Sequence, residues 1–315
     1  MTGFMSALIS RIPPELRGGA LLVLGLGSFG FTDNLILLIS DQVSVGQFHF
    51  SRSLFAVVLV LLLARLLRSS IRPRRLGFAL LRTAFIAMSM MLYFSVLPMM
   101  PIAEAAAGLF TSPILVLIFS TILFRERIGW RRVLAVAVGS VGVLLVLKPG
   151  GDGFTPYHVL PLMAAACYAM GAIITYKFCR DESALGLTLL FLVAVGLAGI
   201  ISTTTMTVFP VPPSLVAEAP FLFRGWAEVD QRFWMIMVLI SVSVVGGMWA
   251  VNRAYQLTLT SYAAVYEYTY LITAGITGWL FWGTAPDGYS MIGIIFIVAA
   301  GVMITLAQQR TDEER

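Results

Sequence analysis

From residue 19 to residue 307 the chain is a run of apolar stretches about twenty residues long, separated by short turns in which arginines gather. A helix needs roughly 20 apolar residues to cross a hydrocarbon core about 30 Å thick, so each stretch has the length of a membrane span. Ten segments meet or approach that length, at 19–40, 47–67, 79–99, 102–124, 133–148, 157–178, 184–209, 233–252, 260–282 and 289–307. The fifth is short, bounded by Arg132 and by Lys148-Pro149-Gly150-Gly151, where proline and glycine stop a helix. Composition closes off the alternatives. Hydrophobic residues make up 59% of the chain and charged residues 12%, against about half and about a quarter in a soluble domain. A water-soluble fold of this size has too much surface to hide so many apolar side chains. An ordinary soluble enzyme, a disordered chain and a secreted disulfide scaffold are excluded. The expected class is an all-α integral membrane protein with ten transmembrane helices.

The positions of the charges give an orientation. With the N-terminus in the cytoplasm, the inner segments hold sixteen of the 21 Lys and Arg: Arg11 and Arg17, five between Arg65 and Arg75, four between Arg125 and Arg132, then Lys177, Arg180, Arg253, Arg310 and Arg315. The outer loops hold Lys148, Arg224 and Arg232, while Arg52 and Arg82 lie within spans. That bias fits an even number of spans with both termini cytoplasmic, in a cell inner (plasma) membrane. It also accounts for the net charge of +5 without nucleic acid, for which no polar domain exists. The basic turns face anionic lipid headgroups. The first span is too long for the core of a signal peptide and reads as retained. Cys167 and Cys179 are predicted on one helix, about 18 Å apart at helical rise, too far to pair. With only His49 and His158 as histidines, neither a metal site nor a cofactor is expected.

Residues 101–147 and 260–307 share an outline: a polar, alanine-bearing start, Leu123-Phe124 against Leu280-Phe281, a short turn, then an apolar helix with a late glycine, Gly142 against Gly301. If this is a repeat, each half holds five spans, and an odd number inverts the second copy. The expected organisation is a cytoplasmic segment 1–18, a first repeat 19–148, a second repeat 157–307 and a cytoplasmic tail 308–315 that frays. Inverted five-helix repeats hold substrate near the midplane between the halves and alternate its access.

Five stretches carry a family resemblance. They are Phe48-His49-Phe50-Ser51-Arg52, Ala103–Pro113 followed by Leu123-Phe124-Arg125-Glu126-Arg127, Ala166–Ser183, Arg253–Tyr268, and Leu280–Gly293. Together they resemble the drug/metabolite transporter superfamily, in particular ten-helix proteins with two EamA-type repeats. Arg125 stands where that family has glycine, and Thr284 where glutamate is common. The resemblance implies transport of a small molecule, such as an amino acid, an amine or a vitamin, and leaves the cargo open.

An ionisable group within the hydrocarbon costs about 2.5–3.5 kcal/mol on insertion scales, so each is a site candidate. Glu267, flanked by Tyr266, Tyr268 and Tyr270, either binds a cationic group or a proton in a tyrosine-lined cavity, or bonds to another helix. Arg52, one turn after His49, either holds a carboxylate or phosphate, or snorkels outward or pairs with Asp33. Asp33 and Asn34 face the bundle and line the pathway or fix Arg52. Tyr93, Tyr168 and Trp249 fall inside spans, where an aromatic cage for a cation or planar ring competes with plain helix packing. Glu104 at a helix start reads first as a charge at the dipole, Arg253 as an interface or gate charge, and Pro113 as a hinge. Small residues such as Gly139, Gly142, Gly275, Gly278 and Gly293, spaced by three or four, let helices approach closely.

The expected work is that of a secondary carrier driven by proton coupling or exchange, a monomer or homodimer that is no enzyme, with a small-molecule substrate and membrane lipid as partners. A Walker-type phosphate loop is missing, so nucleotide hydrolysis is not expected. A membrane-embedded enzyme would need a cluster of His, Asp, Glu or Ser that the sequence does not display. A membrane-embedded enzyme or a sensor without transport activity remains as the alternative, with a selective channel as a weaker option.

Overall fold

The computed structural model describes residues 17–124, 130–147, 155–179, 181–257, 269–284 and 286–313, and among them there is no strand. The helices are α1 (Arg17–Asn34), α2 (Val45–Leu66), α3 (Leu76–Ser95), α4 (Ile102–Leu109), α5 (Ser112–Phe124), α6 (Trp130–Leu147), α7 (Val159–Phe178), α8 (Ala184–Val208), α9 (Pro213–Glu218), α10 (Pro220–Phe223), α11 (Gln231–Leu257), α12 (Thr269–Trp282) and α13 (Gly288–Glu313). Seven spans among the described residues are long and apolar enough to cross a membrane, and two shorter apolar helices lie at Ala137–Val146 and Gly288–Ala300. Large apolar side chains such as Leu54, Val58, Leu61 and Leu62 of α2 point outward, as lipid rather than water requires. The chain is a multi-pass membrane protein.

Helix starts are set by local chemistry. Ser44 accepts the Gln47 N–H at 3.2 Å and Ser183 the Gly186 N–H at 3.4 Å, capping α2 and α8. Asp230 does the same for Phe233 at 2.8 Å, and Asp287 for Ser290 at 2.9 Å. The start of α3 has no cap of its own. The carboxylate of Glu182, from the α7–α8 turn, accepts the backbone N–H groups of Arg74 and Arg75, each at 2.7 Å. A carboxylate here also meets the positive end of the helix. Glu182→Ala should lower stability by about 1 kcal/mol, the usual worth of a lost cap. A melting temperature in detergent equal to that of the wild type would show that the contact carries nothing.

Three elements depart from the sequence expectation. The fourth span is two helices, broken at Phe110 and Thr111, where the Thr111 hydroxyl bonds back to the Gly108 carbonyl at 2.8 Å. Pro113 is the second residue of α5, a place where its missing N–H goes unused, so the break precedes the proline. The eighth span extends beyond Asn252 and Arg253 to Leu257. The tail is helical to Glu313 rather than frayed.

Packing is intimate at glycines. On α2 a Cβ at Gly46 would lie 2.7 Å from the Gly199 carbonyl of α8, and one at Gly199 would lie 2.4 Å from the Gly46 carbonyl. Gly142 of α6 and Gly293 of α13 meet in the same reciprocal way, at 2.7 and 2.6 Å. At one end of the bundle the largest apolar core joins Ile36, Ile39, Phe48, Phe94, Leu97, Phe221, Phe233 and Met237. Phe221 belongs to α10 in the long 209–230 connection and is almost fully buried. That connection is strapped down. Gln47 exchanges two hydrogen bonds with the backbone of Ala227, at 2.8 and 3.0 Å, and Arg224 donates to the Asp41 and Gln42 carbonyls. Towards the other end the buried apolar residues fall into separate groups, one of Leu21, Leu22 and Ala250 and one of Ala79, Ile174, Cys179 and Leu187.

Candidate functional site

Within the large core sits a polar cluster built by α1, α2, α3 and α12. The last turn of α1 carries Asp33 and Asn34, both buried. Asn34 donates to the Gly30 carbonyl at 2.9 Å and across to the Ala274 carbonyl of α12 at 3.2 Å. The approach is close because a Cβ at Gly30 would sit 2.8 Å from both Ala274 N and the Tyr270 carbonyl. The Tyr270 hydroxyl thereby reaches the Asp33 carboxylate and donates to it at 2.5 Å. Its oxygen lies 2.6 Å from the Tyr93 hydroxyl of α3. Tyr270 gives its one proton to Asp33, so Tyr93 is the donor in that second bond. The chain Tyr93→Tyr270→Asp33 ties three helices together.

Arg52 is 3% exposed and His49 is fully buried. The arginine Nη2 lies 3.0 Å from His49 Nδ1. A guanidinium has no acceptor, so Nδ1 accepts and the imidazole is neutral, its proton on Nε2. The guanidinium carbon stands 5.3 Å from the Phe48 ring centroid and 5.1 Å from that of Phe94, within cation–π reach. The backbone carbonyl of Arg52 accepts the Ser241 hydroxyl of α11 at 2.9 Å. Arg52 and Asp33 are close enough to interact electrostatically, yet the bond of each goes to a neutral group. The outward snorkel considered for Arg52 does not occur, nor does a direct pair with Asp33. Among the described residues Arg52 Nε and Asn34 Oδ1 are buried without a hydrogen-bond partner.

The other expected residues stand apart or lie beyond the description. Tyr168 is 41% exposed on α7. Trp249 packs beside Leu21, Leu22 and Ala250. Glu104 sits in the first turn of α4 and accepts the Ser290 hydroxyl at 3.3 Å. Glu267 and Tyr266 fall outside the described residues, and of Arg253 only the helical backbone is described. Sequence reasoning did not single out Phe48, Phe94 or Ser241 as partners of Arg52, nor Phe221 above them. The run Phe48-His49-Phe50-Ser51-Arg52 held part of that information. Among the described residues no group of His, Cys, Asp and Glu is placed to hold a metal ion.

Comparison with known proteins gives the context. Residues 16–148 match the EamA-like transporter family. A riboflavin transporter of Vibrio cholerae is 25% identical over 295 residues, 91% of this chain and 92% of its own length. A pseudopaline exporter of Pseudomonas aeruginosa is 24% identical over 92% of this chain and 96% of its own. An S-adenosylmethionine uptake transporter of Rickettsia bellii is 23% identical, covering 86% of this chain and 85% of itself. One crystal structure aligns with 93% of this chain and 98% of its own at TM-score 0.59 and 17% identity, a likeness of fold.

Proposed function

We propose that this chain, whose residues 16–148 match the EamA-like transporter family, is a secondary carrier that moves a small organic metabolite by alternating access. The observation that carries the reading is the end-to-end similarity to three differently named metabolite transporters, joined to a buried charged cluster at the meeting of four helices.

The principal helix pairings support two repeats, 19–148 and 157–307. Exchanging each span with the one five places later turns the α1–α11 contact into α7–α3, α1–α12 into α7 against α4 and α5, and α11–α2 into α3–α8. The pairs α2–α8 and α6–α13 turn into themselves. Every one of these contacts is made, as two copies of one five-span unit require. Orientation follows from the basic turns, with both termini in the cytoplasm of a cell whose inner membrane holds the protein. The end covered by Phe221 then faces outward.

Glu267 is proposed as the proton site, a carboxylate between tyrosines of the ninth span. Metabolites that bind the purified protein, found by thermal shift, should show accelerated uptake into proteoliposomes when unlabelled compound is on the far side. Binding without such acceleration would leave a sensor or receptor instead. Glu267→Gln should lower the exchange rate at least tenfold while the protein stays monodisperse. Wild-type rates would remove Glu267 from the mechanism.

A further inference from the structure

We propose that Asp33 and Arg52 are the two poles of a zwitterion site, the carboxylate taking a cationic group of the cargo and the guanidinium its carboxylate or a similar anion. The inference rests on the transport reading above and adds to it the class of cargo.

Two opposite charges in an apolar core are held most cheaply in direct, forked contact. This bundle holds them in one cluster but apart. Arg52 has a neutral imidazole on one nitrogen and two stacked aromatic rings, Phe48 and Phe94, on one side. Its Nε has no partner among the described residues. Asp33 accepts one tyrosine hydroxyl, whereas a carboxylate has about four acceptor positions. Both therefore keep bonding capacity towards a third group. The pair also sets the charge that group must carry. The two poles sum to zero, so a singly charged cargo would leave a net charge in a medium of low dielectric, where uncompensated charge is most costly. A zwitterion places its cation on Asp33 and its anion on Arg52 and keeps the sum at zero. Phe48, Phe94 and Tyr93 supply an apolar wall for the rest of the molecule.

The test is thermal-shift binding in detergent against a panel sorted by charge. It includes the matched set tryptophan, tryptamine and indole-3-propionate, together with S-adenosylmethionine and the uncharged riboflavin. The strongest binders should be zwitterions, each binding at least tenfold more tightly than its analogue lacking one charge. Arg52→Lys keeps the buried charge, and Asp33→Asn still accepts the Tyr270 hydroxyl, so both should fold. Each should weaken zwitterion binding tenfold or more and erase the advantage over the analogue that lacks the matching group. A neutral compound as the best binder, a panel with no zwitterion bound, or unchanged zwitterion affinity in both folded variants would overturn the proposal. Transport is judged separately. Exchange of a neutral cargo would keep the carrier and sink the zwitterion site, whereas a bound zwitterion that is never exchanged would do the reverse.

Discussion

Gly46→Leu is expected to leave little folded protein. At this crossing α2 and α8 touch backbone to backbone. A Cβ on Gly46 would stand 2.3 Å from the hydroxyls of Ser202 and Thr203 and 2.7 Å from the Gly199 carbonyl oxygen. The hydroxyls can rotate away, but the carbonyl is fixed by its own helix, so the helices must part. Inserting extra carbons into a packed interior costs about 1–3 kcal/mol. A leucine at a backbone contact belongs at or above the top of that range. The same crossing carries the Ser44–Thr203 hydroxyl contact at 3.1 Å, and His49 and Arg52 follow within two turns, so the damage reaches the polar cluster. Gly46→Ala should show an intermediate loss. Gly246 of α11 is the control, because a Cβ there meets nothing within 4 Å. Gly246→Leu should keep its melting temperature and gain some helix propensity. The measurement is the monodisperse yield and melting temperature of each variant in one detergent. Equal losses at Gly46 and Gly246 would mean that the crossing is not tight.

The contrast between those two glycines marks how far a sequence can be read. Apolar length alone delimits the helices, because a span must reach across the hydrocarbon whatever it packs against. The spacing of Gly142 and Gly293 announces close approach, but not that these two residues meet each other. Asp33 and Arg52 stand out by their cost within apolar runs. Their actual partners do not, since Tyr270 lies 237 positions from Asp33 and 177 from Tyr93. Tyr93, Tyr168 and Tyr270 look alike as tyrosines inside spans. Only the rotation of each helix about its axis separates the two that join the cluster from Tyr168, which is exposed. That rotation is set by tertiary packing, and local periodicity is weak when every face of a helix is apolar. Phe221 is legible least of all, because its burial depends on how a long connection folds back over the bundle.

Tyr270→Phe tests the cluster where its parts are most dependent on one another. The phenol is the middle link of the Tyr93→Tyr270→Asp33 chain, so its removal leaves the Asp33 carboxylate without its donor and the Tyr93 hydroxyl without its acceptor. A buried polar group left unpaired costs about 1–3 kcal/mol, and more if it is charged. With two groups affected, a loss of about 3 kcal/mol is expected. Tyr93→Phe removes only the outer donor and leaves the bond to Asp33 in place, so about 1 kcal/mol is expected. The double variant should be less destabilised than the two single losses added, because the orphaned Tyr93 hydroxyl is gone as well. Transport should follow the same order. Among the described residues the hydroxyl chain is one of two polar ties between α1 and α12, the other being the Asn34–Ala274 bond. The exchange rate should therefore fall further in Tyr270→Phe than in Tyr93→Phe. Melting temperatures that rank Tyr93→Phe as the worse of the two, or strict additivity in the double variant, would show that the three groups do not act as one hydrogen-bonded unit. The placing of Asp33 in the cluster would then need another cause.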